Sequence, residues 1–91
     1  MPTRYLPPRP SLAQLKIQAN ELRQEHRDGR PSAAARIAAH HPRFKFPGGQ
    51  PLEAVLASKL ALTDAQLVIA REYGFDTWPR LKHHVELAEA V

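Results

Sequence analysis

Residues 62–86, LTDAQLVIAREYGFDTWPRLKHHVE, decide the fold. They read as a helix, a tight turn and a second helix, with a start or stop signal at each boundary. Thr63-Asp64-Ala65-Gln66 has the order of a capping box, and Asp64 complements the positive end of a helix. Ala65, Ile69 and Tyr73 recur every four residues and share one face, flanked by Val68 and Glu72. Gly74 stops this helix. Asp76 or Thr77 can cap the next one, and Pro79 is tolerated in its first turn, where that N–H has no intrahelical partner. Trp78, Leu81, Val85 and Ala88 then fall at intervals of three, four and three. Gly74 permits the turn, and Phe75 and Trp78 are placed to plug the corner between the helices.

The same logic extends upstream. A helix is expected from Ser11 to about Arg27, with Ser11 and Gln14 forming a capping box. Leu12, Leu15, Ala19 and Leu22 give it one apolar face, and Ile17 lies off that stripe. Asp28-Gly29 ends it, with Gly29 free to take a left-handed conformation. A short alanine-rich helix follows from about Ser32 to His41, with Pro31 at its first turn, Ile37 as its one large anchor and Pro42 as its stop. Residues 42–50, PRFKFPGGQ, read as a loop that pins Phe44 and Phe46. A further helix is expected from about Pro51 to Lys59, with Leu52, Val55 and Leu56 on one side. Residues 1–10 are an extended Pro-rich arm in which Tyr5 and Leu6 form an apolar latch. The expected architecture is all-α: a small bundle of four to five short amphipathic helices in a single domain, residues 11–91, preceded by the arm.

Composition narrows the function classes. At 91 residues one domain is the limit. There is no cysteine, which excludes a disulfide framework and a thiolate metal site. No apolar run reaches the ~20 residues that span a bilayer, and MPTRYLPPRPS lacks the apolar core of a signal peptide. The expectation is a cytoplasmic protein with no membrane contact. Net charge is +4, unevenly spread: residues 1–50 carry nine Lys/Arg against three Asp/Glu, residues 51–91 four against six. A basic N-terminal half suits nucleic acid or another acidic surface, and equally serves solubility.

The segment AQLVIAREYGFDTWPRLKHHVE (Ala65–Glu86), together with SLAQLKIQANELRQEHRDGRPSAAARIAAHHPRF (Ser11–Phe44), resembles the helical N-terminal module that precedes ankyrin repeats in many bacterial proteins. Related segments also stand beside glyoxalase-like domains. The most specific part is a helix ending in Arg-Glu-Tyr-Gly-Phe, followed by Trp and then Leu-Lys. The resemblance spans about residues 11–86 and implies an adaptor or capping role beside a repeat domain, with no catalytic motif to carry over. No TPLH-like ankyrin motif occurs in these residues.

Chemistry-bearing constellations are sparse. The histidines stand as His26, His40-His41 and His83-His84, and neither adjacent pair chelates one ion easily, because neighbours on a helix point about 100° apart. There is no His-Glu-x-x-His spacing, no Gly-x-Ser-x-Gly elbow, and Gly48-Gly49 lacks the Lys-Ser/Thr of a phosphate loop. No metal, no cofactor, no small-molecule substrate and no catalysis are expected. Glu72 beside Arg71 reads as a surface pair. The expected function is a non-catalytic protein-interaction or adaptor module, binding a protein partner or a second copy of itself through Tyr5, Leu6, Ile17, Phe44 and Phe46. The alternative is a basic nucleic-acid-binding domain, helix-turn-helix-like at residues 63–86, where Ala70 and Gly74 suit the turn. Its contacts would be Arg23, Arg27, Arg30, Arg36, Arg43, Lys45, Arg80 and Lys82. Against it, Trp78 and Pro79 occupy the helix start, where base-reading polar side chains normally sit.

Overall fold

Five helices and no strand make up the described residues, 10–41 and 52–89, of a computed structural model. They are α1 (Leu12–Arg27), α2 (Pro31–His40), α3 (Leu52–Ala57), α4 (Leu62–Glu72) and α5 (Trp78–Glu89). Most of the expected arm, with Tyr5 and Leu6, and the loop carrying Arg43, Phe44, Lys45 and Phe46 lie outside the described residues. The all-α bundle expected from periodicity is the architecture found.

The helix of the opening motif is the centre of the bundle. α4 packs against α1, α2 and α5; α2 also covers α3, and α1 touches α2 and α5. This follows from composition. α4 buries Ala65, Val68, Ile69 and Ala70, an apolar surface wide enough to meet several neighbours, whereas α5 buries only Leu81 and Val85. α1 contributes Leu15, Ala19 and Leu22, the stripe expected from spacing, and Ile17 on the opposite face stays 47 % exposed. Leu22, Ile37, Ile69 and Leu81 are fully buried, each stabilising by roughly 1.5–3 kcal/mol relative to exposure. Trp78 and Phe75 are partly buried against this core, plugging the α4–α5 corner without being engulfed. Ala88, expected on the buried face of α5, is exposed, because burial on α5 ends at Val85.

Both glycine stops close in the same way. Gly29 has φ +76° and Gly74 φ +88°. After α1, Gly29 N–H donates to His26 O and Arg30 N–H to Glu25 O, both at 3.1 Å. After α4, Gly74 N–H donates to Arg71 O at 3.0 Å and Phe75 N–H to Ala70 O at 2.9 Å. These paired bonds satisfy carbonyls that the helix end would otherwise orphan. A methyl group at Gly29 would meet nothing within 4 Å. Gly29→Ala therefore costs backbone strain alone, about 1–2 kcal/mol, and a thermal melt will show a lower Tm with an unchanged helical spectrum. A melt that does not move would mean the turn readily adopts another conformation.

The helix starts depart from expectation in two places. Ser11 caps α1, its Oγ accepting from Gln14 N–H at 3.4 Å. A second acceptor comes from the far end of the chain: Leu12 N–H donates to Glu89 Oε1 at 2.9 Å. At α4 the N-cap is Ala61, not Thr63. The helix begins at Leu62, Thr63 sits inside its first turn, and Asp64 reaches back so that Oδ2 accepts from Ala61 N–H at 3.0 Å. Alanine has no side-chain acceptor, so only this half of a capping box is present. Thr77 caps α5 through Arg80 N–H at 3.3 Å. No helix among the described residues is long and apolar enough to cross a membrane.

Candidate anion-binding cleft

Arg23 and Arg27 stand one turn apart on α1, so their side chains emerge on the same face. That face forms one wall of a cleft of about 260 Å³, whose other wall is the segment linking α3 to α4. Ser58, Lys59 and the apolar Leu56 and Leu60 line this second wall, and His26 forms part of the lining between them. His26 is nearly buried, and its Nε2 lies 2.9 Å from Val55 O. A carbonyl oxygen only accepts, so Nε2 carries the proton here. This bond ties α1 to α3 and fixes the spacing of the walls.

The electrostatics of the cleft are one-sided. Arg23, Arg27 and Lys59 are cationic, and among the described residues no carboxylate lines it. Glu25, two residues from each arginine and so on another face of α1, faces Arg36 at 3.6 Å. Asp28 accepts from Gln24 Nε2 at 3.0 Å. Among the described residues, neither Arg23 nor Arg27 forms an ion pair. Ser58 contributes no proton to the cleft, because its hydroxyl donates to Ala54 O at 2.8 Å.

Other basic residues from the sequence reading are scattered and engaged. Arg36 projects from α2 to the α4 carboxylate of Glu72, with Nε–Oε2 at 2.8 Å and Nη2–Oε1 at 2.7 Å. Glu72 is only 3 % exposed. It is therefore an internal partner of Arg36 and not a surface partner of Arg71. Glu72 lies four residues after Val68 and seven after Ala65, which places it on the core-facing side of α4. The bidentate bond to Glu72 raises the Arg36 pKa above the usual arginine value; burial opposes this, and the charges of Glu72 and Glu25 add to it. Arg80 pairs with Asp76 at 3.5 Å and Lys82 with Glu86 at 3.8 Å, both on the exposed face of α5 or its cap. Arg30 is exposed at the α1–α2 link and serves as backbone N-cap of α2.

The histidines are dispersed. His41 is nearly buried at the end of α2, and its Nε2 lies 2.9 Å from Asp64 Oδ1. His84 stacks at a tilt on Phe75, with ring centroids 5.2 Å apart. No group of three metal-ligating side chains forms among the described residues. Sequence reading found Arg23 and Arg27 but not their companions. Lys59 and His26 are more than thirty positions apart, and no local spacing signals that they will share a cleft.

No family model, no curated protein and no solved structure matches the chain.

Proposed function

We propose that this chain is a non-catalytic interaction module of adaptor type, which holds an acidic protein partner at the end of the bundle carrying Arg23, Arg27 and Lys59. One observation carries this reading: among the described residues, two arginines without a carboxylate partner line a cleft with no acidic side chain, while Arg36, Arg80 and Lys82 each face a carboxylate. Charge left uncompensated on a small domain steers and orients an oppositely charged partner. Exposed Ile17 offers an apolar contact elsewhere on α1. The adaptor role is also what the resemblance to the ankyrin-preceding helical module implies.

Nucleic-acid binding is the second reading, favoured by the net charge of +4 and by the same α1 arginines. The helix-turn-helix variant is the weaker form of it. In α5, Trp78 packs on the core, Thr77 is used as a cap, and Arg80 and Lys82 have local carboxylates.

Fluorescence anisotropy separates the two readings. A labelled Glu-rich peptide and a labelled mixed-sequence DNA duplex are each titrated with the wild type and with R23Q/R27Q/R30Q. Arg36 is left intact, because its loss would disturb the core. The expected result is saturable peptide binding that the triple variant loses while its helical spectrum is retained. Binding of the duplex alone, weakening about 40-fold between 50 and 200 mM salt for roughly three neutralised phosphates, would establish the second reading in its place. Binding of neither would end both.

A further inference from the structure

We infer that the Arg23–Arg27–Lys59 cleft takes a phosphomonoester dianion, presented as a phosphorylated serine or threonine of the protein partner. This rests on the interaction-module reading and specifies its ligand.

Charge selects the group. A carboxylate brings one negative charge to the two arginines, whereas a phosphomonoester brings about −1.5 to −2 near neutrality, with three strong acceptor oxygens. Geometry agrees. Arginines one turn apart on a helix have Cβ atoms roughly 5–6 Å apart, so both guanidinium groups can converge on one phosphoryl group, each donating in its planar fork. Lys59 approaches from the facing wall as a point charge. Leu56 and Leu60 supply an apolar surface for the methylene or methyl of the phosphorylated residue.

Size favours a small ligand. Cofactor pockets usually exceed ~300 Å³, and this cleft holds about 260 Å³. A duplex presents its phosphates as a continuous track and needs cations continuing along the surface. The described cations of α5 that could extend such a track, Arg80 and Lys82, already face Asp76 and Glu86.

The test is a ¹H–¹⁵N correlation titration of the full 91-residue chain at constant ionic strength near pH 7.5. Four probes are compared: the end-capped pentapeptide Gly-Ala-phosphoSer-Ala-Gly, the same peptide with Ser, the same peptide with Glu, and inorganic phosphate. The phosphopeptide is expected to shift amides near Arg23–Arg27 and Ser58–Leu60 saturably. The Ser peptide should leave them unmoved, and the Glu peptide should bind at least tenfold more weakly. R23Q/R27Q should lose at least tenfold in affinity, K59Q severalfold, and R80Q/K82Q nothing. All these side chains are at least partly exposed, and retained helical spectra confirm folded variants. Equal affinity for the Glu peptide and the phosphopeptide overturns this inference but leaves the acidic-partner reading standing. Inorganic phosphate binding as tightly as the phosphopeptide overturns the peptide source and identifies a small-anion site. No shift with any probe, in a chain that also ignores Glu-rich peptide and DNA, overturns both. Unchanged affinity in R23Q/R27Q removes the cleft from the account.

Discussion

Arg36→Met will destabilise the bundle by about 3–5 kcal/mol, the usual cost of stranding one member of a buried ion pair. The mechanism is specific. Glu72 is 3 % exposed on α4, and both its oxygens accept from the Arg36 guanidinium. Removing the guanidinium takes two charge-assisted hydrogen bonds from a nearly buried carboxylate. For a domain of this size the loss corresponds to a Tm fall of roughly 15–30 °C, read by circular dichroism. The double variant R36M/E72L should recover most of it, because the buried charge goes with its partner. A fall of only a few degrees in the single variant would show that water reaches Glu72. The elevated Arg36 pKa adds no pH dependence in any working range. A raised basic group gives full stabilisation below its unfolded pKa and loses it only as pH climbs through the folded value, which for arginine lies beyond ordinary conditions.

Ile37→Ala should be the most damaging core truncation in the first half of the chain, at about 2–5 kcal/mol. Its neighbours explain why. The remaining buried residues of α2 are Ala33 and Ala34, so Ile37 is the one large apolar side chain fastening α2 to α3 and α4. The surrounding alanines have no longer side chains with which to fill the void. Hydrogen exchange will show the consequence locally: amides of α2 and α3 lose protection first, while α1, α4 and α5 keep theirs. Uniform loss across all helices would mean that α2 is inseparable from the rest of the core.

These two residues also mark how far the sequence could be read. Ile37 was legible as an anchor because it stands alone among alanines in a helical window. The stops at Gly29 and Gly74 were legible because only glycine takes a positive φ without penalty. Ser11 and Thr77 announced their caps by residue type. The Arg36–Glu72 pair was not legible, because its members are thirty-six positions apart and Glu72 has Arg71 as an obvious neighbour. Its place on the apolar face of α4 was the available clue, and charge led away from it. Asp64 was seen as a first-turn acid, but its reach to Ala61 depends on a start at Leu62, two residues before the N-cap read at Thr63 would place it. The cleft follows from the bond between His26 and Val55 that holds the α3–α4 segment beside α1, and nothing local in either segment encodes it.

The bond between Leu12 N–H and Glu89 Oε1 has a practical bearing on how the protein can be handled. It places the start of α1 and the end of α5 at one corner, with Arg23 and Arg27 further along α1 by roughly 16–23 Å at 1.5 Å per residue. Chain entering at residue 12 and chain leaving at residue 89 therefore share a corner remote from the cleft. A fluorophore, surface anchor or fused reporter joined through that corner leaves the arginines facing away from the attachment. Immobilised in this orientation, the cleft stays open to whatever is passed over it.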